Sequence, residues 1–162
     1  MTLAKLELKI PPPIVAGLIA GAMWVAGKWA ESVGLGSLFG TVPTGWRHMA
    51  ALAVALVGAG FDLTGVLGFL RARTTVNPMK PERSAALVTS GVYRITRNPM
   101  YVGMALLLLA WAIFLDSAAA LLGPPAFALV ITRLQIQPEE RALAARFGSD
   151  FASYCAAVRR WL

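Results

Sequence analysis

The sequence predicts an all-α integral membrane protein with about four transmembrane helices, the last two a hairpin, and amphipathic helices at the C-terminus. Three observations carry this. Of 162 residues, 57% are hydrophobic and only 14% are charged, whereas a soluble domain carries roughly a quarter charged residues. The apolar residues fall into long runs near the length of about 20 residues that a helix needs to cross the hydrocarbon core. The basic residues border those runs instead of gathering on one face of a soluble helix.

The first run covers residues 14–30 and the second 48–70. A longer apolar stretch follows Pro99 and is interrupted at Asp116-Ser117, so it reads as two helices, 99–115 and 118–136. Gly123-Pro124-Pro125 bends or delays the second of these. Four spans place the N-terminus, the loop 71–98 and the tail 138–162 on one side of the bilayer. That side holds thirteen of the fifteen lysines and arginines, leaving only Lys28 and Arg47 on the other. The positive-inside rule makes the richer side cytoplasmic. Trp29 and Trp46 then serve as interfacial anchors on the far side. The opening MTLAKLELKIPPP lacks the charge-then-apolar order of a cleavable signal and is expected to be retained.

Two local patterns organise the polar ends. In Asn98-Pro99, the residue before proline avoids helical backbone and proline suits the first helical position, so Asn98 is the expected N-cap of the third span. In QPEERALAARFGSDFASYCAAVRRWL, Pro138 opens a helix with Glu139 and Glu140 in its first turn, where the macrodipole favours carboxylates. Leu143 and Phe147 share a face, Gly148 ends that helix and Ser149 caps another. Phe151, Tyr154, Val158 and Trp161 form the apolar stripe of this last helix, with Arg159 and Arg160 to its side.

Composition excludes several chemistries. Cys155 and His48 are the sole cysteine and histidine, so no intrachain disulfide forms and no metal site of His and Cys is expected. Ser-His and Cys-His nucleophilic pairs have almost nothing to draw on. The net charge of +7 is spread along span borders, which argues against nucleic acid as a partner. Asp62 lies inside the second span, where a carboxylate must face the bundle interior; pairing with a loop arginine is favoured over contact with a ligand. Gly17 and Gly21, four apart in the first span, permit close helix contact and could pair two copies as a homodimer.

The polar residues cluster in two places. GVYRITRNPMYVGM brings Tyr93, Arg94, Arg97 and Tyr101 to the start of the third span, and Glu139 and Glu140 start the tail. Together they could hold a ligand with an anionic end and a cationic or hydroxyl-bearing end. Arg97 and the helix N-terminus suit a carboxylate, a glutamate suits an ammonium or a ribose diol, and tyrosine faces suit a sulfonium. S-adenosylmethionine has that inventory; dinucleotides and phospholipid head groups match part of it.

LVTSGVYRITRNPMYVG followed by PEERALAARFGSDFASY resembles the isoprenylcysteine carboxyl methyltransferase and phospholipid methyltransferase superfamily of integral membrane enzymes. The matching positions are Gly91, Tyr93, Arg97, Pro99, Tyr101 and Gly103, then Glu139, Glu140, Leu143, Phe147, Gly148 and Tyr154. The resemblance covers about residues 74–161 and implies that S-adenosylmethionine binds on the cytoplasmic side while a lipophilic acceptor enters from the bilayer. It implies a cofactor site of Gly91, Tyr93, Arg97, Asn98, Pro99, Tyr101, Glu139 and Glu140. Glu140 would also align the acceptor, and Arg146 would hold an acceptor carboxylate. Ser90, Val92 and Asn98 stand where many members carry histidine, proline and histidine, so a histidine base is not expected. Three acceptors compete: a prenylated cysteine carboxylate, a phospholipid amine and a small hydrophobic thiol. The alternatives are an NADPH-dependent membrane reductase of related fold and a non-enzymatic lipid-binding or transport protein.

Overall fold

A computed structural model of the chain describes residues 7–35, 37–73 and 85–162. Lys5, Lys80, Arg83 and much of the predicted loop 71–98 lie outside the described residues. The protein is all-helical, 76% helix, with no strands among the described residues. Its long helices are α1 (Pro12–Ser32), α2 (Thr44–Arg71), α3 (Pro99–Leu115), α4 (Gly123–Ile131) and α5 (Gln137–Ala157). Short 3₁₀ turns, Gly91–Arg94 and Ala119–Leu122, precede α3 and α4.

Three helical segments are long and apolar enough to cross a membrane: Pro12–Ser32, Thr44–Arg71 and the continuous run Ala119–Ala157. The apolar α3 has 17 residues, at the lower limit of about 17 for a crossing. The protein is therefore a membrane protein by helix length and composition.

α2 and α3 pack backbone against backbone. A Cβ placed on Gly58 would lie 2.9 Å from the Gly103 carbonyl oxygen, and one on Gly103 would lie 2.7 Å from the Gly58 carbonyl. Gly65 admits the Met100 side chain, and Gly68 the Tyr93 ring, in the same way. Small residues at such a contact allow the close approach on which helix packing in lipid depends. Gly17 and Gly21 have nothing within 4 Å of an added Cβ, so neither sits at such a close approach among the described residues.

Asp62 faces this seam. The same hypothetical Cβ on Gly103 would lie 2.2 Å from Asp62 Oδ1, and that buried oxygen has no hydrogen-bond partner among the described residues. No arginine among the described residues bonds this oxygen, and Arg83 of the loop expected to supply one lies outside them.

On the other side of α3 the core gathers Val15 and Met23 of α1, Leu108 and Ala112 of α3, and Phe127 and Ile131 of α4. The N-terminal segment is fastened beneath it. The Leu8 N–H donates to the Leu134 carbonyl at 3.0 Å, Gln135 Nε2 donates to the Ile10 carbonyl at 2.7 Å, and Glu7 pairs with Arg141.

The chain does not break between α4 and α5, although a new helix was expected to open at Pro138. It continues through a π-turn, Thr132–Ile136. Proline has no N–H and its ring crowds the carbonyl four residues back; a widened turn just ahead relieves that crowding and keeps the helix running. The expected break at Gly148 takes the form of a kink within α5, where Gly148 adopts φ 51° and ψ −120°, backbone available to glycine. The last helix stops at Ala157, so Val158 and Trp161 belong to an extended tail and not to a helical stripe.

Candidate functional site

The site forms where the start of α3, the start of α5 and the C-terminal tail converge. Pro99 occupies the first turn of α3, and Asn98 the N-cap position with φ −129° and ψ 55°. The Asn98 side chain makes no cap hydrogen bond, contrary to expectation; its Nδ2 donates to the Arg160 carbonyl at 2.9 Å. The tail attracts it because residues 96–98 and 159–160 run side by side. The Arg97 N–H donates to the Arg159 carbonyl at 2.9 Å. Thr96, fully buried, donates from Oγ1 to the Arg160 carbonyl at 3.0 Å.

Glu140 is the centre of the charged cluster. Arg97 Nη2 lies 3.1 Å from its Oε1, and Arg160 donates from Nε to Oε1 at 3.0 Å and from Nη2 to Oε2 at 2.6 Å. Such two-pronged arginine–carboxylate pairs are the strong, directional class of hydrogen bond. The bond to Glu140 raises the already high pKa of Arg160, so its guanidinium is charged. The Arg97 and Glu140 side chains are 13% and 19% exposed, and the Nε of Arg97 is buried without a hydrogen-bond partner among the described residues. A buried charged donor left unmade is costly.

Beside this cationic lobe lies a second carboxyl group, that of Glu139. Tyr101, buried, donates from its hydroxyl to Glu139 Oε1 at 2.6 Å. Tyr93 is buried as well. Its hydroxyl reaches the Gly65 carbonyl at 3.4 Å, while its own carbonyl accepts from the Tyr154 hydroxyl at 2.7 Å. Burial, reinforced by Tyr154 and then Glu139, pushes the Tyr93 phenol up, so it stays protonated. Tyr93 thus locks α2 to the tail helix and forms one wall of the cluster.

The other predicted residues lie at the margins. Gly91, exposed and at φ 62°, has open space around it. Arg146 is exposed, its guanidinium carbon 5.8 Å from the Phe147 ring centroid. Arg94 is exposed too. Sequence reasoning missed Thr96 and the role of Arg160. Arg160 sits beyond the end of the helix expected to carry it, and no local signal announces its pairing with Glu140, 20 positions away, or with Thr96, 64 positions away.

The arrangement pairs a fixed guanidinium at a helix N-terminus with a neighbouring half-buried carboxyl group and two tyrosines. It can orient a zwitterionic ligand; among the described residues no group of three or more His, Cys, Asp or Glu could hold a metal ion.

Residues 46–150 match the family described as phospholipid methyltransferase, a segment that contains the Arg97–Glu140 and Tyr101–Glu139 pairs. An uncharacterized protein of Haemophilus influenzae is 44% identical over 63 residues, 39% of this chain and 100% of that protein. No solved structure matches the chain. With the family match extending over more than half of its length, the chain belongs to the phospholipid methyltransferase family, a family of methyltransferases.

Proposed function

We propose that the protein transfers a methyl group from S-adenosylmethionine to a lipophilic acceptor at the membrane surface. The observation that carries this reading is the bipolar cluster at the start of α3, whose Arg97, Tyr101, Glu139 and Glu140 lie inside the family-matched segment. It consists of two arginines on one glutamate, an unused buried Nε on Arg97, and a tyrosine-bound carboxylate next in sequence. Arg97 suits the carboxylate of the methionine moiety. Glu139 suits its ammonium, and the rings of Tyr93 and Tyr101 suit a sulfonium.

S-adenosylmethionine brings a methyl group already activated by its sulfonium, so the protein's task is positioning in line with the incoming nucleophile. Both oxygens of Glu140 are engaged by arginines, which makes it a holder of Arg97 rather than an acceptor of protons. An acceptor already ionised, such as a carboxylate, needs no base; an amine or thiol must lose its proton. The acceptor is a prenylated cysteine carboxylate, a phospholipid amine or a small hydrophobic thiol, and Arg146 is the proposed ligand for an acceptor carboxylate. The excess of lysine and arginine on the side of the tail favours a cytoplasmic site.

The test is methyl transfer by protein in nanodiscs, using methyl-labelled S-adenosylmethionine with each of the three acceptor classes in turn. Label entering one class, and absent with Arg97→Ala, is the expected result. Label entering none of them, with NADPH oxidised by a lipid alkene instead, would favour the reductase alternative.

A further inference from the structure

The last five residues, beyond the family-matched segment, form part of the site. After α5, Val158 turns extended at φ −127° and ψ 134°. Three contacts fix the backbone that follows. The Arg97 N–H bonds the Arg159 carbonyl at 2.9 Å, and Thr96 Oγ1 and Asn98 Nδ2 both donate to the Arg160 carbonyl. Trp161 Nε1 then donates to Thr132 Oγ1 at 3.3 Å. The Arg160 side chain therefore starts from a fixed point, and its planar fork takes both oxygens of Glu140, at 3.0 and 2.6 Å. Arg97 meets Oε1 of the same carboxylate at 3.1 Å. Arg160 is the outer arginine, 38% exposed in its side chain, and Arg97 the inner one at 13%.

We infer that Arg160 is a positioning residue for the methyl donor: it holds Glu140, and Glu140 holds Arg97 with its Nε free for the ligand's carboxylate. The inference rests on the S-adenosylmethionine reading. Without the fork, Glu140 regains its side-chain torsions and Arg97 loses a fixed partner. Their ordering then has to accompany binding, which lowers affinity. A lysine keeps the charge but cannot engage both oxygens in one plane. Once the ligand is bound the site is ordered again, so the effect falls on KM and leaves kcat within about twofold.

The experiment is calorimetric titration of S-adenosylmethionine into wild type, Arg160→Ala, Arg160→Lys, Glu140→Ala and the Arg160→Ala/Glu140→Ala double variant, with unfolding temperatures measured alongside. Arg160→Ala is expected to weaken binding about tenfold, the scale of a lost charge-assisted hydrogen bond. Arg160→Lys should fall between the two. In the Glu140→Ala background, Arg160→Ala should cost nothing further, since the residue acts through Glu140. Wild-type affinity in Arg160→Ala, or the same loss with and without Glu140, would overturn the inference. Should Arg160→Ala fail to fold, Arg160→Lys decides: affinity equal to wild type overturns it, and a loss of roughly threefold or more supports it. A well-folded wild type that does not bind at all would instead overturn the methyl-donor reading beneath it.

Discussion

The two ends of the helical bundle each carry a half-hidden ion-pair cluster, built to different plans. At one end, Arg47 Nη1 meets Asp116 Oδ2 at 2.6 Å, with side chains 16% and 18% exposed. The other oxygen of Asp116 accepts the Phe39 N–H at 3.0 Å. Asp116 itself closes α3 in left-handed backbone, φ 54° and ψ 42°. One cation, one anion and one backbone donor pin the loop between α1 and α2 to the α3–α4 turn. At the opposite end one carboxylate, Glu140, receives two arginines, while Glu139 beside it is bonded to a tyrosine. Both ends leave an arginine Nε buried and unpartnered, on Arg47 and on Arg97, so that feature alone does not mark a site. The distinction is charge balance: the Arg47 pair is neutral within itself, whereas the Arg97 cluster has a surplus cation on one side and a separate carboxylate on the other. The first is a clasp and the second fits a zwitterion.

Substitutions can break this contrast. The largest expected effect is on ligand binding: Arg97→Ala should weaken S-adenosylmethionine by roughly 100-fold, about 3 kcal/mol, because a charged partner is removed and Glu140 keeps one arginine. Calorimetry reads this directly. Arg47→Ala should act on stability instead. Losing one member of a mostly buried pair costs about 3 kcal/mol, seen as a lower unfolding temperature in detergent, with affinity for S-adenosylmethionine in the folded fraction unchanged within about twofold. If Arg47→Ala weakened binding as strongly as Arg97→Ala, the division into clasp and site would fail.

Smaller effects test the scaffold. Gly103→Ala places a methyl group against Asp62 and the Gly58 carbonyl, and should destabilise by about 1–3 kcal/mol through overpacking at the α2–α3 seam. Gly17→Ala meets nothing within 4 Å and should lie within about 0.5 kcal/mol of wild type. Equal unfolding temperatures for these two variants would contradict the packing described for α2 and α3.

Local chemistry made much of this legible in the sequence. Apolar runs announce helices because an exposed backbone in lipid has no alternative partner. Proline at the start of α3 and glutamates at the start of α5 signal helix entries through their backbone and dipole effects. The pairings that set the geometry are long-range and leave no such trace. Gly58, Gly65 and Gly103 look no different in sequence from Gly17 and Gly21, yet only the former group lies at a helix contact. Asn98 is suited to capping, but two tail carbonyls offer its segment better-placed partners. Pro138 reads as a helix opening, and the π-turn ahead of it carries the helix through. Arg160 could be assigned a partner only after the tail was seen to leave its helix at Ala157.

The central claim is that the cluster around Glu140 binds S-adenosylmethionine. Its most direct test is calorimetric binding of S-adenosylmethionine and S-adenosylhomocysteine to wild type and to Glu140→Ala, in nanodiscs with folding verified. Saturable one-site binding to wild type, weakened at least tenfold in the variant, is the predicted result. Absence of binding to folded wild type, or equal binding by both proteins, would contradict the assignment of this cluster as the cofactor site.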